Sequence, residues 1–135
     1  MVRRIGTVLA ALTCITLVAT DAQAQRLGRW EQLGCQQVSF IGKDRDTIRV
    51  GRREGRFKAI RLSARTNDVE VLDLKVIYAN GAPDDIQVRS QIRAGTMTRA
   101  LDLRGRDRAI RQIDLTYRSR PSFRGLATVC AEGLD

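Results

Sequence analysis

The chain has 135 residues, of which 24 are Lys or Arg, 15 are Asp or Glu, and none is His. This length fits one small globular domain, and the missing imidazole excludes Ser-His-Asp and Cys-His catalytic arrangements and every zinc site that needs His. Only 4% of the residues are aromatic. That is too few for a platform on which nucleic-acid bases would stack, so no nucleic-acid partner is expected.

Residues 1–24 show the pattern of a secretory signal peptide. Arg3 and Arg4 form a charged start, residues 8–19 form an apolar run, and Ala22-Gln23-Ala24 is a small-residue cleavage motif. The apolar run is shorter than the roughly 20 residues of a membrane-spanning helix. We predict cleavage after Ala24, a periplasmic or secreted mature chain, and no transmembrane segment in it.

Cleavage leaves two cysteines, Cys35 and Cys130, in a compartment that favours oxidation. We expect a structural disulfide, because redox-active pairs are usually closely spaced in the sequence. The bridge would close a loop of about 96 residues, to which the chain-entropy model assigns about 4 to 5 kcal/mol at most. The beginning of the mature domain would therefore be joined to its end.

From Cys35 onward apolar residues recur at every second position, which is typical of β-strands. The predicted strands before residue 80 are 36–41, 47–51, 57–65 and 69–79. The first of these places Val38 and Phe40 in the core, and the last is apolar on both faces, as in a central strand. Asp44 and Asp46 are predicted to form the turn before the second strand, and not a calcium site, because the full ligand spacing is missing.

Four more strands are predicted after the turn at Asn80-Gly81, at 86–93, 101–103, 110–118 and 126–131. In the third of these, Ile113, Leu115 and Tyr117 are the predicted core positions. The two cysteines have the parity opposite to the core positions of their strands. Their bridge therefore requires the first and last strands to be neighbours in one sheet or to meet at its edge.

About eight strands and no helix predict an all-β fold, a two-sheet antiparallel β-sandwich that is jelly-roll-like. A small β-barrel is the alternative. No repeat or long linker divides the mature chain, so residues 25–135 are predicted to form a single domain.

Several strand segments carry a family resemblance: residues 57–64, 69–78, 88–99 and 110–117, followed by Ala127-Thr128-Val129. Together they resemble the domain-of-unknown-function family 2541, a family of small exported bacterial proteins. The likeness covers roughly residues 57–133. It implies a β-sandwich of the cell envelope and brings no established activity, cofactor or catalytic residue.

Arginine dominates the cationic side chains, and its guanidinium binds carboxylate or phosphate through two parallel hydrogen bonds. A basic face for an anionic envelope glycan or lipid is one interpretation, provided that the contributing strands are neighbours. The other is a solvated surface whose charges are paired locally with acids. The outward positions that would form the basic face are Arg89, Arg93, Arg111 and Arg118.

No cofactor and no metal site is predicted. A carboxylate-based hydrolase, for example with Asp84 and Asp102, is the remaining enzyme class, but every acid lies in a predicted loop or points outward, whereas such chemistry needs a buried carboxyl. Trp30 either packs under the end of the sandwich or anchors a partner or lipid surface. We expect a non-enzymatic structural or binding module of the envelope.

Overall fold

The computed structural model describes residue 6 and residues 28–38, 42–51, 55–119 and 125–135. The predicted signal peptide, apart from Gly6, and the predicted core position Phe40 lie outside the described residues. Within the described residues there are nine strands and no helix. Accordingly, no helix in this part of the chain has the length and apolar character needed to cross a membrane.

The strands form two antiparallel sheets. One sheet has the order β1-β9-β3-β7, and the other has the order β2-β8-β4-β5, with β6 also pairing with β4. In chain order the strands are β1 (Trp30–Gln37), β2 (Gly42–Arg49), β3 (Ala59–Arg65), β4 (Val69–Tyr78), β5 (Pro83–Ile86), β6 (Ser90–Ile92), β7 (Leu101–Asp102), β8 (Ile110–Ser119) and β9 (Thr128–Leu134).

The core lies between the inner faces of the two sheets, which confirms the predicted β-sandwich; the sheets are not closed into a barrel. Alternation along the strands places one side chain in two against the facing sheet. The predicted inward faces of β3 and β8 are found: each of their core residues is at most 1% exposed, namely Ile60, Leu62, Ala64, Ile113, Leu115 and Tyr117.

The first two strands begin earlier than predicted. β1 starts at Trp30, and β2 runs from Gly42 to Arg49, so Asp44 and Asp46 lie inside a strand and not in a turn. Both have the inward parity of buried Ile48. The carboxylate of Asp46 accepts a hydrogen bond from the hydroxyl of Tyr117, and this pairing allows an acid at an inward position that the sequence pattern assigned to a turn.

The structure also differs from the predicted strands in β4 and in the segment that follows it. A register shift between Val71 and Asp73 interrupts the alternation of β4, so that Val71 and Leu74 are both buried and Leu72 is not. The predicted strand 86–93 is replaced by the short strands β5 and β6, which both pair with β4. β5 begins at Pro83, so the predicted acidic loop is a strand and Asp84 points into the protein.

Cys35 and Cys130 are direct cross-strand partners in β1 and β9, and a disulfide joins them. Their Cα atoms are 4.0 Å apart. This pairing confirms the prediction that the first and last strands are neighbours. A disulfide of this kind is typical of oxidising, extracytoplasmic compartments.

Candidate functional site

The candidate site lies at the end of the sandwich where the two sheets are joined by Phe57, just before β3, and Arg108, just before β8. Each residue donates its backbone N–H to the carbonyl of the other at 2.9 Å. The Phe57 ring packs against β9 at Gly133, where an added Cβ would lie 2.6 Å from Cδ1 of the ring. Glycine at this position therefore allows the Phe57 ring to pack closely against β9.

A buried tyrosine–aspartate pair lies beneath this segment. The hydroxyl of Tyr78, on β4, donates to Oδ2 of Asp84, on β5, at 2.5 Å. The backbone nitrogen of Arg104 lies 3.2 Å from the hydroxyl oxygen of Tyr78 and 3.2 Å from Oδ2 of Asp84. Tyr78 is 2% exposed and Asp84 is 6% exposed.

Burial, together with the hydrogen bond and negative charge of Asp84, raises the pKa of Tyr78 to about 12. The phenol therefore stays protonated at neutral pH and acts as a donor to the carboxylate. This buried carboxyl contradicts the expectation that every acid would lie in a loop or point outward.

Two arginines are held against this pair. The guanidinium carbon of Arg108 lies 3.8 Å from the centroid of the Tyr78 ring, a cation–π contact. Its Nη1 donates to the carbonyl of Arg104 at 3.3 Å. The guanidinium of Arg104 in turn approaches the carboxylate of Asp84, with Nη2 3.8 Å from Oδ1. The buried acid therefore lies near one guanidinium group and the aromatic ring lies beneath the other.

Two more arginines border the same area. Arg56 pairs with Asp107 through Nε and Oδ1 at 3.2 Å, and its Nη2 donates to the Asp107 carbonyl at 2.8 Å. Arg56 and Arg108 line a groove of about 160 Å³. Arg111 lines an adjoining groove, and the two grooves share Ala79 and Ala109. We call this set the arginine cluster: Arg56, Arg104, Arg108 and Arg111.

The arginine cluster carries more positive charge than its acids neutralise. Asp107 pairs with Arg56, and Asp84 lies near Arg104. Neither Arg108 nor Arg111 forms an ion pair with an acid in the part of the chain that the structure describes. Arranged in this way, the guanidinium groups can bind carboxylate or phosphate oxygens through paired hydrogen bonds.

The four arginines predicted to form a basic face do not form a single row. Arg89 and Arg118 share a cleft of about 230 Å³ near the C-terminal end of β8. β4 lies between β8 and β6, and its Glu70 approaches Arg118 with Oε2 3.9 Å from Nη1. Arg93 is exposed next to the turn that its carbonyl forms with Thr96. Arg111 lies at the opposite end of β8, in the arginine cluster.

The predicted set therefore contained one member of the arginine cluster and missed the other three. The alternation in Arg104-Gly105-Arg106-Asp107-Arg108 was a usable signal, because it places basic side chains close together on one segment. The Tyr78–Asp84 pair had no such signal, since it depends on the register of β5 against β4.

Metal chemistry has no support at this site. In the described residues no group of three or more Cys, Asp or Glu side chains is arranged to hold a metal ion.

Trp30 lies at the same end of the sandwich as the arginine cluster, as the first residue of β1. The guanidinium carbon of Arg61 lies 4.2 Å from its ring centroid.

Fold and site together define a disulfide-closed antiparallel β-sandwich with an arginine cluster at one end. The chain belongs to the family described as Domain of unknown function (DUF2541), whose model matches residues 8–133. This match confirms the resemblance seen in the strand segments and extends it toward the N-terminus. No curated protein and no solved structure gives a significant match to the chain.

Proposed function

We propose that the protein is an exported, non-enzymatic binding module of the cell envelope whose arginine cluster binds anionic groups of an envelope glycan or lipid. The observation that carries this proposal is Arg108, which is fixed over Tyr78 while no acid in the described residues neutralises it. A guanidinium that is already held in place loses less conformational entropy when it binds an anion than a free surface side chain does.

Binding is favoured over catalysis by the contacts of Asp84. A carboxylate-based hydrolase needs a buried carboxyl that can hold and release a proton. Asp84 is buried, but one of its oxygens accepts from the hydroxyl of Tyr78 and from the N–H of Arg104, and the other faces the Arg104 guanidinium. These contacts make Asp84 a support for the arginine cluster.

Export is supported by the signal-peptide pattern of residues 1–24 and by the disulfide. The test is to express the full chain, fractionate the cells and measure the mass of the purified protein. We expect an extracytoplasmic product that begins at Gln25 and has no free thiol. A cytoplasmic product with an intact N-terminus and three reactive thiols would contradict export.

The binding test uses inorganic polyphosphate, a soluble chain of phosphate groups, and calorimetry at several salt concentrations. Replacing Arg108 and Arg111 together by Gln should weaken binding about 10- to 30-fold, because each charged contact near a polyanion is worth about 1 kcal/mol. Binding by the unmodified protein should also weaken as salt rises toward about 1 M, where charges are screened within about 3 Å.

The matched control replaces Arg89 and Arg93 by Gln, which removes the same charge from the other end of the fold. This variant should bind polyphosphate within about threefold of the unmodified protein, a difference below about 0.7 kcal/mol. Equal losses in the two double variants would show that net charge, and not the arginine cluster, determines binding. A greater loss of affinity in the control variant would show that the binding site is the cleft that contains Arg89.

A further inference from the structure

The described part of the chain begins at the end of the sandwich that carries the arginine cluster. Arg29 donates its N–H to Oδ1 of Asp135 at 2.7 Å, and its carbonyl accepts the Asp135 N–H at 3.1 Å. The Leu134 carbonyl accepts the N–H of Lys58 at 2.7 Å, and the Lys58 carbonyl accepts the N–H of Leu103 at 2.9 Å. A continuous set of backbone hydrogen bonds therefore connects the start of β1 to the segment that carries Arg104 and Arg108.

This connection fixes where the predicted signal peptide joins the fold. The apolar run of residues 8–19 precedes β1 by about ten residues, a reach of at most about 36 Å. In the uncleaved chain, the predicted signal peptide is therefore continuous with the end that carries the arginine cluster. The opposite end, with Arg89 and Arg118, lies a strand length farther away.

The charge of this end suits an anionic membrane surface. Arg106 and Lys58 are exposed and extend the arginine cluster, and neither forms an ion pair within the described residues. Asp102, Asp107 and Asp135 are exposed acids of the same hydrogen-bonded segments, and Asp107 is paired with Arg56. Anionic leaflets attract clustered Lys and Arg side chains over distances up to about a Debye length, and guanidinium groups pair with headgroup phosphates.

Trp30 adds an aromatic side chain to this end. It is the only tryptophan in the chain, and it is half-buried, with the Arg61 guanidinium over its ring. Tryptophan is enriched at membrane–water interfaces, where its apolar ring and its N–H group can each find a suitable environment.

We infer that this end of the sandwich docks on a membrane surface by binding the phosphate groups of anionic phospholipids, with Trp30 at the interface. The inference rests on the proposed function and names its partner as a lipid surface in preference to a soluble glycan. It follows from the surplus positive charge of the arginine cluster, which complements the anionic headgroups.

The experiment uses the protein purified after export of the full chain, with vesicles of phosphatidylcholine that contain or lack phosphatidylglycerol. Trp30 emission reports directly on this end, because no other tryptophan contributes. We expect binding only to the vesicles that contain phosphatidylglycerol, with a shift of the emission to shorter wavelength and quenching by brominated lipids. Replacing Arg108 and Arg111 by Gln should weaken vesicle binding about 10- to 30-fold.

The Arg89 and Arg93 double variant serves again as the charge-matched control and should bind vesicles within about threefold of the unmodified protein. Far-UV circular dichroism melting confirms that each variant is folded. Vesicle binding without a change in Trp30 emission would overturn the inference, because another face would then contact the membrane. Binding to polyphosphate but not to vesicles would also overturn it, while leaving the proposed function in place. Binding to neither would overturn both.

Discussion

The two edges of the five-stranded sheet carry the same pair of residue types in different surroundings. At one edge Asp46, on β2, accepts a hydrogen bond from the hydroxyl of Tyr117, on neighbouring β8. At the other edge Asp84, on β5, accepts one from the hydroxyl of Tyr78, on neighbouring β4. In each case an edge strand turns an aspartate inward and a more central strand supplies the phenol, an arrangement that also discourages edge-to-edge pairing with other chains.

The difference lies in what surrounds each pair. Asp84 is approached by Arg104, and Arg108 covers the ring of Tyr78. Asp46 shares its strand face with a second acid, Asp44, and forms no ion pair within the described residues. The same tyrosine–aspartate hydrogen bond therefore joins an edge strand to its neighbour in both places, whereas Arg104 and Arg108 add a cationic surface only beside Asp84.

Removing the carboxylate at the β5 edge should have the largest effect on stability. Asp84→Ala leaves the buried Tyr78 hydroxyl without its acceptor and removes one of the two acceptors of the Arg104 N–H, which should lower the free energy of unfolding by about 2 to 4 kcal/mol. Urea denaturation measures this change. Asp85→Ala is the matched control on the same strand, since Asp85 is exposed and its contact with Lys75 spans 3.8 Å; it should cost less than about 0.5 kcal/mol.

The second prediction uses the raised pKa of Tyr78. Because the folded state holds the phenol in its protonated form, Tyr78 contributes stability that is fully present below pH 10 and is lost as the pH rises toward 12. The shift corresponds to a loss of about 2 to 3 kcal/mol over this range. Denaturation of the unmodified protein and of Tyr78→Phe at a series of pH values measures it. The prediction fails if the variant loses stability as steeply between pH 10 and pH 12 as the unmodified protein.

A smaller effect is expected at the β2 edge. Asp46 is half-buried, so water can partly replace the acceptor that Asp46→Ala removes from Tyr117. The free energy of unfolding should fall by about 1 kcal/mol in urea denaturation. A loss as large as that of Asp84→Ala would show that the two edges are equivalent and would remove the contrast between them.

The sequence could predict features that depend on strand alternation. The parity of Cys35 and Cys130 predicted that β1 and β9 are neighbours, and the apolar positions of β8 predicted its buried face. These inferences succeed because alternation is a local property of an extended chain.

The remaining features depend on pairing between residues far apart in the chain, which a local sequence pattern does not show. Asp44 and Asp46 resemble turn residues, and only the hydroxyl of Tyr117, far along the chain, accounts for an acid inside β2. Asp84 follows Pro83 in what looks like a turn, yet β5 pairs with the end of β4. The arginine cluster likewise requires Phe57 to meet Arg108 across the two sheets.

The central claim is that the arginine cluster is a binding site and that the Asp46–Tyr117 pair at the β2 edge is not. It is tested most directly by two-dimensional NMR of the ¹⁵N-labelled exported protein during a titration with polyphosphate. We predict that the amide shifts change most at Ala79, Arg104, Arg108 and Arg111, and little at Asp44 and Asp46. Changes centred on the cleft of Arg89 and Arg118, or spread evenly over both edges, would contradict the claim.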